Sequence, residues 1–447
     1  MFIRLVILSI SLLVYVAAGF AVPARAGQGS FIRDAEIEST IRAYATPLFE
    51  GAGLDASAVN IHILNDKRLN AFVAGGRRLF LNTGLLIAAD SPNQLIGVIA
   101  HETGHIAGGH LARTNDAIRN ASTANILSYV LGAAAAVAGA PGAGLALIIG
   151  GSALGQSSFL KYSRAQEQSA DQFATSILDD TGQSSRGLAE FLGLLEGQEV
   201  LVSSRQDPYL RSHPLTRERI SFVRNHAANS PFSDTPTPEA RLMAFARMKA
   251  KLVGYLNPSG ALKIYPVSDN SVAARYARAF AYHRRSNLKR ALDEIDSLLA
   301  EFPDDGFFHE LKGQILFENG LVNAAVLSYV DAVALLPGES LIRVGLAQAL
   351  IETGDIEVFD SAIEHLEAAL RQDREQPSVH RLLSVAYGRT DRLGLSWLAS
   401  AERAILTRRP KDAMGFAKRA NDMLPVGSPG QLRAQDIEFV AEQALKQ

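Results

Sequence analysis

The sequence predicts an α+β protein, mainly α, made of two modules: one with a small sheet beside a helix that carries paired histidines, the other all helix. Three observations predict it. Between residues 59 and 81, short stretches alternate apolar and polar residues with the period of a strand. On either side of them, apolar residues recur at helical spacing. In the second half, comparable helical stretches headed by Ala281, Ile315, Ala349 and Ala386 follow one another at intervals of 34, 34 and 37 residues. A chain of 447 residues is too long for one ordinary core, and two domains are expected.

The first element is at the N-terminus. Met1-Phe2-Ile3-Arg4 carries one positive charge, Leu5 to Val22 is apolar, and Ala24-Arg25-Ala26 places small residues three and one before a cut. This predicts a secretory signal over residues 1–26, with an uncleaved anchor as the alternative because the apolar stretch is long. The chain has no cysteine, which excludes disulfides, thiolate metal sites and a lipidated N-terminus. A net charge of −2 without a long basic run gives no case for nucleic acid.

Residues 34–51 place Ile37, Ile41, Tyr44 and Leu48 on one face and predict an amphipathic helix. Strands follow: Val59-Asn60-Ile61-His62-Ile63, then Ala71-Phe72-Val73, which turns at Gly75-Gly76 into Arg77-Arg78-Leu79-Phe80-Leu81 as a hairpin. The edge of such a sheet could bind an extended peptide through its main chain, or the sheet could be purely structural.

Ser91-Pro92 and Gly108-Gly109 bound the next helix, which contains His101-Glu102-Thr103-Gly104-His105. Residues four apart share a helix face, so both imidazoles can reach one metal ion while Glu102 projects toward a water beside it. That pattern points to a zinc hydrolase in which Glu102 is the general base. Residues 121–160, rich in Ala and Gly and broken by Pro141, read as two small-residue helical arms near the site rather than as a membrane span. The helix after them carries Glu167 and Asp171 four apart. Two histidines leave a catalytic zinc one protein ligand short, so one of these carboxylates could bind metal and the other accept a proton from a ligand imidazole. Further on stand Ser212-His213-Pro214 and Arg219-Ile220.

Together with Asn70-Ala71-Phe72, these segments resemble the zinc metallopeptidases that include the CAAX prenyl endopeptidases and the HtpX membrane protease. With a secretory signal and a repeat tail, the chain is most similar to the soluble periplasmic branch of that family, which combines protease and chaperone roles. The resemblance spans about residues 35–225. It implies one zinc ion per chain held by His101, His105 and Glu167, Glu102 as general base, Asp171 as the carboxylate behind a ligand, and His213 and Arg219 as catalytic residues at the mouth of the site. His110 and Arg113 also match, without an assigned role. Implied substrates are unfolded, misfolded or stalled envelope and outer-membrane proteins, and the implied partner is the outer-membrane assembly machinery, with at most a peripheral contact to the membrane.

The interval of about 34 residues in the second half is the tetratricopeptide period. Each unit is a helix pair unable to bury its apolar face alone, so stacking predicts a solenoid with a surface for another polypeptide. The expected organisation is a signal at 1–26, a zincin-like metallopeptidase domain at 27–232 and a repeat domain at 233–447. The rival reading makes the repeats the working part, a chaperone or scaffold whose zinc site is rarely active.

Overall fold

The computed structural model describes residues 31–110, 163–196 and 208–446. The expected signal at 1–26 and the arms at 121–160 lie outside the described residues. Among the described residues, no helix is long and apolar enough to cross a membrane.

Helix α1 (Ala35–Gly51) starts where Asp34 accepts a hydrogen bond from the Ile37 amide at 2.9 Å, and it buries Ile37, Ile41, Tyr44 and Leu48 as the spacing requires. Four strands form one mixed sheet: β1 (Phe31–Ile32), β2 (Asn60–Leu64), β3 (Ala71–Ala74) and β4 (Arg78–Asn82). Their order is β1-β2-β4-β3, with β2 parallel to β4 and β3 antiparallel to it. Gly75 and Gly76 turn the β3–β4 hairpin at φ of +58° and +91°, a conformation that side chains with a Cβ resist. Ala71, Leu79, Leu81 and Ile63 point to the core, while Phe72, Phe80 and His62 stand on the opposite face.

Helix α2 (Thr83–Ala88) leads to α3 (Pro92–Ala107), which Ser91 caps at one end and Gly108 at the other, as the sequence predicts. Helix α4 (residues 163–180), α5 (Arg186–Leu195), α6 (Pro208–Ser212) and α7 (Arg217–Asn229) complete the first module. Two glycines let α3 sit close to its neighbours. A Cβ at Gly97 would fall 2.8 Å from the Leu188 backbone, and one at Gly104 would fall 3.0 Å from the backbone of Ala170.

The tail is helical throughout: α8 (Glu239–Leu256), α9 (Pro258–Ile264), then five antiparallel pairs between Val272 and Lys446. The inner residues that mark the period, Ala281, Ile315, Ala349 and Ala386, are fully buried. Five positions later, Ser286, Gly320, Gly354 and Asp391 all adopt positive φ between the two helices of a unit, so the spacing records one left-handed turn per repeat. Helix α8, counted from the sequence with the repeats, lends Phe245, Met248 and Leu252 to the first module's core. Polar contacts join the modules further. Lys251, buried, lies 2.8 Å from Asp34 and 3.5 Å from both Glu36 and Glu310, while Glu36 also meets Arg247 at 2.7 Å and the Tyr276 hydroxyl at 2.6 Å. Arg33 reaches Asp373 across 3.4 Å.

Candidate active site

The buried C-terminal half of α3 places His101, Glu102 and His105 against α4. The helical repeat brings Nε2 of His101 and Nε2 of His105 within 3.1 Å of one another. Glu167 of α4 approaches both, at 3.3 Å from His101 and 3.4 Å from His105. From the turn after α6, His213 brings Nδ1 to 3.4 Å from His101 and 3.2 Å from each Glu167 oxygen. One donor atom from each of these four buried side chains lies within 4.8 Å of the other three, a group that could hold a metal ion. The separations fit it. Ligands about 2.0–2.1 Å from a tetrahedral ion lie roughly 3.3 Å apart, close to the 3.1 to 3.4 Å that separates these donor atoms.

Behind this group is a second layer. Asp171, one turn after Glu167, lies 2.9 Å from His101 Nδ1 and fixes which nitrogen faces inward. Arg219 binds Asp171 through Nε at 2.6 Å and Nη2 at 3.0 Å, Glu167 through Nη1 at 2.9 Å, and the Pro214 carbonyl at 2.9 Å. The resemblance implies a position at the mouth for Arg219; the structure instead buries it beneath the carboxylates and the loop that carries His213. There it meets the site through Asp171, Glu167 and the Pro214 carbonyl.

Charge follows from these contacts. Burial disfavours a charged His101 ring, but Asp171 and Glu167 outweigh it and lift the pKa to about 9. Burial lowers His105, helped by the neighbouring His101 and His213. Glu167 is held well below the usual carboxylate range despite burial, by His213, His101 and Arg219. Burial raises Glu102, against the pull of His213 and His101. Among the described residues, neither Glu102 oxygen has a hydrogen-bond partner, although His213 Nε2 stands 3.3 Å from Oε1. A buried carboxylate left in that condition is costly for stability and is suited to receive a water.

The candidates given a role from the sequence converge here: His101, Glu102, His105, Glu167, Asp171, His213 and Arg219; Arg113 lies outside the described residues. Two neighbours had no assigned part. His110, which matches the family pattern without an assigned role, sets Nδ1 at 3.0 Å from His105 Nδ1. Tyr209 stacks on His213 with ring centres 4.6 Å apart, and its amide donates to the Leu69 carbonyl beside β3 at 3.3 Å. No sequence pattern pointed to Tyr209.

Residues 32–227 match the profile of Peptidase family M48, and residues 316–386 match that of a tetratricopeptide repeat. The beta-barrel assembly-enhancing protease of Yersinia pestis is 24% identical over 419 residues, covering 90% of this chain and 82% of its own. The protein of the same name from Escherichia coli (strain K12) is 24% identical over 417 residues, covering 91% and 83%. The metalloprotease YcaL of the same strain is 27% identical over 180 residues, covering 40% of this chain and 66% of its own.

Proposed function

We propose that this metalloprotease, a peptidase family M48 domain followed by tetratricopeptide repeats, is a periplasmic zinc endopeptidase for misfolded or stalled outer-membrane proteins. The observation that carries the reading is Glu102, a fully buried carboxylate without a hydrogen-bond partner among the described residues, beside a convergent His101, His105 and Glu167. A zinc site that only braced the fold would have no use for such a group. The likeness to relatives named for beta-barrel assembly supports that choice of substrate class.

His101, His105 and Glu167 would hold one zinc ion, which supplies Lewis acidity to the scissile carbonyl and to the attacking water. Glu102 takes the proton as the water oxygen adds to the carbonyl carbon. It returns that proton to the departing amine nitrogen as the C–N bond breaks. Asp171 keeps His101 Nε2 turned inward, and Arg219 balances the charge of Asp171 and Glu167. The extended substrate pairs with the outer edge of β3. Asn70 and Asn82 form a hydrogen-bonded pair at 3.0 Å, so by alternation Phe72 bonds to β4 while Ala71 and Val73 direct their main-chain groups outward.

His213 sits among the metal-binding donors, which supports a resting state in which it fills the place that substrate needs. The repeats would recruit clients or an assembly machine, with residues 1–26 as the export signal and 27–232 and 233–447 as the two domains, the second reaching into the core of the first through α8. A chaperone or scaffold with a rarely active site is the rival. Casein degradation decides between them, with metal content measured on every protein. Glu102→Gln is expected to keep its metal and lose activity, and His101→Ala or Glu167→Ala to lose both. A Glu102→Gln protein as active as wild type would overturn the mechanism.

A further inference from the structure

An aromatic row crosses the outer face of the sheet. Phe31 lies 5.6 Å from His62, His62 stacks on Phe80 at 4.9 Å, and Phe80 stacks on Phe72 at 4.9 Å with planes only 9° apart. Strand register makes the row continuous, since Phe80 is paired with His62 on one side and with Phe72 on the other. Phe31 is largely exposed, and the other three rings are half-buried. The row ends at Phe72 because β3 ends the sheet among the described residues. Phe72 therefore offers the ring face turned away from Phe80 to whatever lies along the edge of β3 beyond Leu69, whose carbonyl accepts from the Tyr209 amide. Ala74, the next residue on that side, is small and leaves room around it.

We propose that Phe72 is a specificity-determining residue that selects an aromatic side chain at one fixed position of the substrate strand. The inference rests on the edge pairing proposed above and adds a side-chain preference to it. An antiparallel peptide bonded to the outward groups of Ala71 and Val73 sets one residue directly opposite Phe72. That position is a non-hydrogen-bonded pair, in which the two Cα atoms come closer and side chains touch most. An aromatic residue there extends the stack by one ring. A small or charged residue leaves the outer side of the half-buried Phe72 ring without a partner ring. Residues on either side of it in the peptide point to the opposite face of the sheet, so the preference falls on a single position.

The test uses the full chain and internally quenched peptides of about twelve residues, with one tyrosine moved stepwise along an Ala/Thr/Ser background. Cleavage gives kcat/KM for each, and fluorescence anisotropy on Glu102→Gln gives Kd for the same peptides. Aromatic pairs contribute roughly 0.5–1.5 kcal/mol beyond area burial, so tyrosine at one offset from the cut is expected to improve kcat/KM and Kd about three- to tenfold. Phe72→Leu, which keeps apolar bulk, should abolish that ratio, and Phe72→Tyr should preserve it. Cleavage without a positional aromatic preference, or a preference unchanged in Phe72→Leu, overturns the proposal while leaving the protease reading intact. A preference in binding without any cleavage supports the edge and rejects the protease reading. No binding and no cleavage rejects both.

Discussion

Lys251→Met tests whether the two modules are held as one by the charges at their junction. The ammonium is buried at 2.8 Å from Asp34 and 3.5 Å from Glu36 and Glu310. Burial works against its charge, and Asp34, Glu310, Tyr276 and Glu36 outweigh that effect. Removing one partner of a buried ion pair costs about 3–5 kcal/mol because the other is left uncompensated. Here the lower end applies: Glu36 keeps Arg247 and the Tyr276 hydroxyl, and Asp34 keeps the Ile37 amide. Glu310 loses most. Burial, with Asp34 and Glu36, already raises its pKa from 4.5 to about 7 against the pull of Lys251. A carboxylate raised in the fold binds its proton more tightly there than in the open chain. Its contribution is therefore best below about pH 4.5 and is lost as the pH rises through 7. Without Lys251 that pKa climbs further, so the penalty of the substitution should be about 3 kcal/mol near pH 8 and shrink to roughly half near pH 6. At about 2.1 cal/mol/K per residue, a chain of 447 residues melting as one unit shifts by about 1 °C per kcal/mol, so circular dichroism melts should show Tm falling by roughly 3 °C at the higher pH. A Tm within about 1 °C of wild type there, or a larger loss at the lower pH, would refute the reasoning.

The remaining predictions concern the site. Asp171→Asn should leave the fold intact and weaken metal binding by roughly ten- to a hundredfold in chelator competition; unchanged affinity would mean that its contact with His101 does not orient the ring. His213→Ala should retain metal and raise basal casein cleavage severalfold, because the side chain lies among the metal-binding donors. A strong loss of activity would instead assign His213 to stabilising the oxyanion.

What was legible in the sequence was legible because it was local. His101, Glu102 and His105 lie within one helical turn and a half, and Glu167 and Asp171 are one turn apart, so helical spacing alone put each set on a face. Asp34, Ser91, Gly75 and Gly108 marked element ends through short-range hydrogen bonds and φ preferences. The repeat period showed itself in Gly320 and Gly354, which the turn favours, and more faintly in Ser286 and Asp391, which tolerate it. Long-range pairing was not legible. His62, Phe80 and Phe72 each read as ordinary strand residues, and only the parallel pairing of β2 with β4, which no turn signals, lines them up. Strand β1 is two residues long and carries no pattern. Nothing in the sequence singled out Lys251 or Glu36, whose contact with one another spans 215 positions. Arg219 matched a motif, but a motif does not say that a guanidinium lies beneath the site and not at its opening.

The junction also sets an order of assembly in time. Glu36 is separated from Lys251 by 215 positions and from Tyr276 by 240, and Arg33 from Asp373 by 340. A chain that emerges from its N-terminus therefore presents α1 before the partners of its buried acid are available to it. Contacts of such separation also close slowly, since the entropy of a long loop must be lost before they form. Helix α1 packs against the helix that carries His101 and His105. The foundation of the protease module is thus finished only after the tail has been made, and the last-synthesised half of the chain decides when the first half is complete.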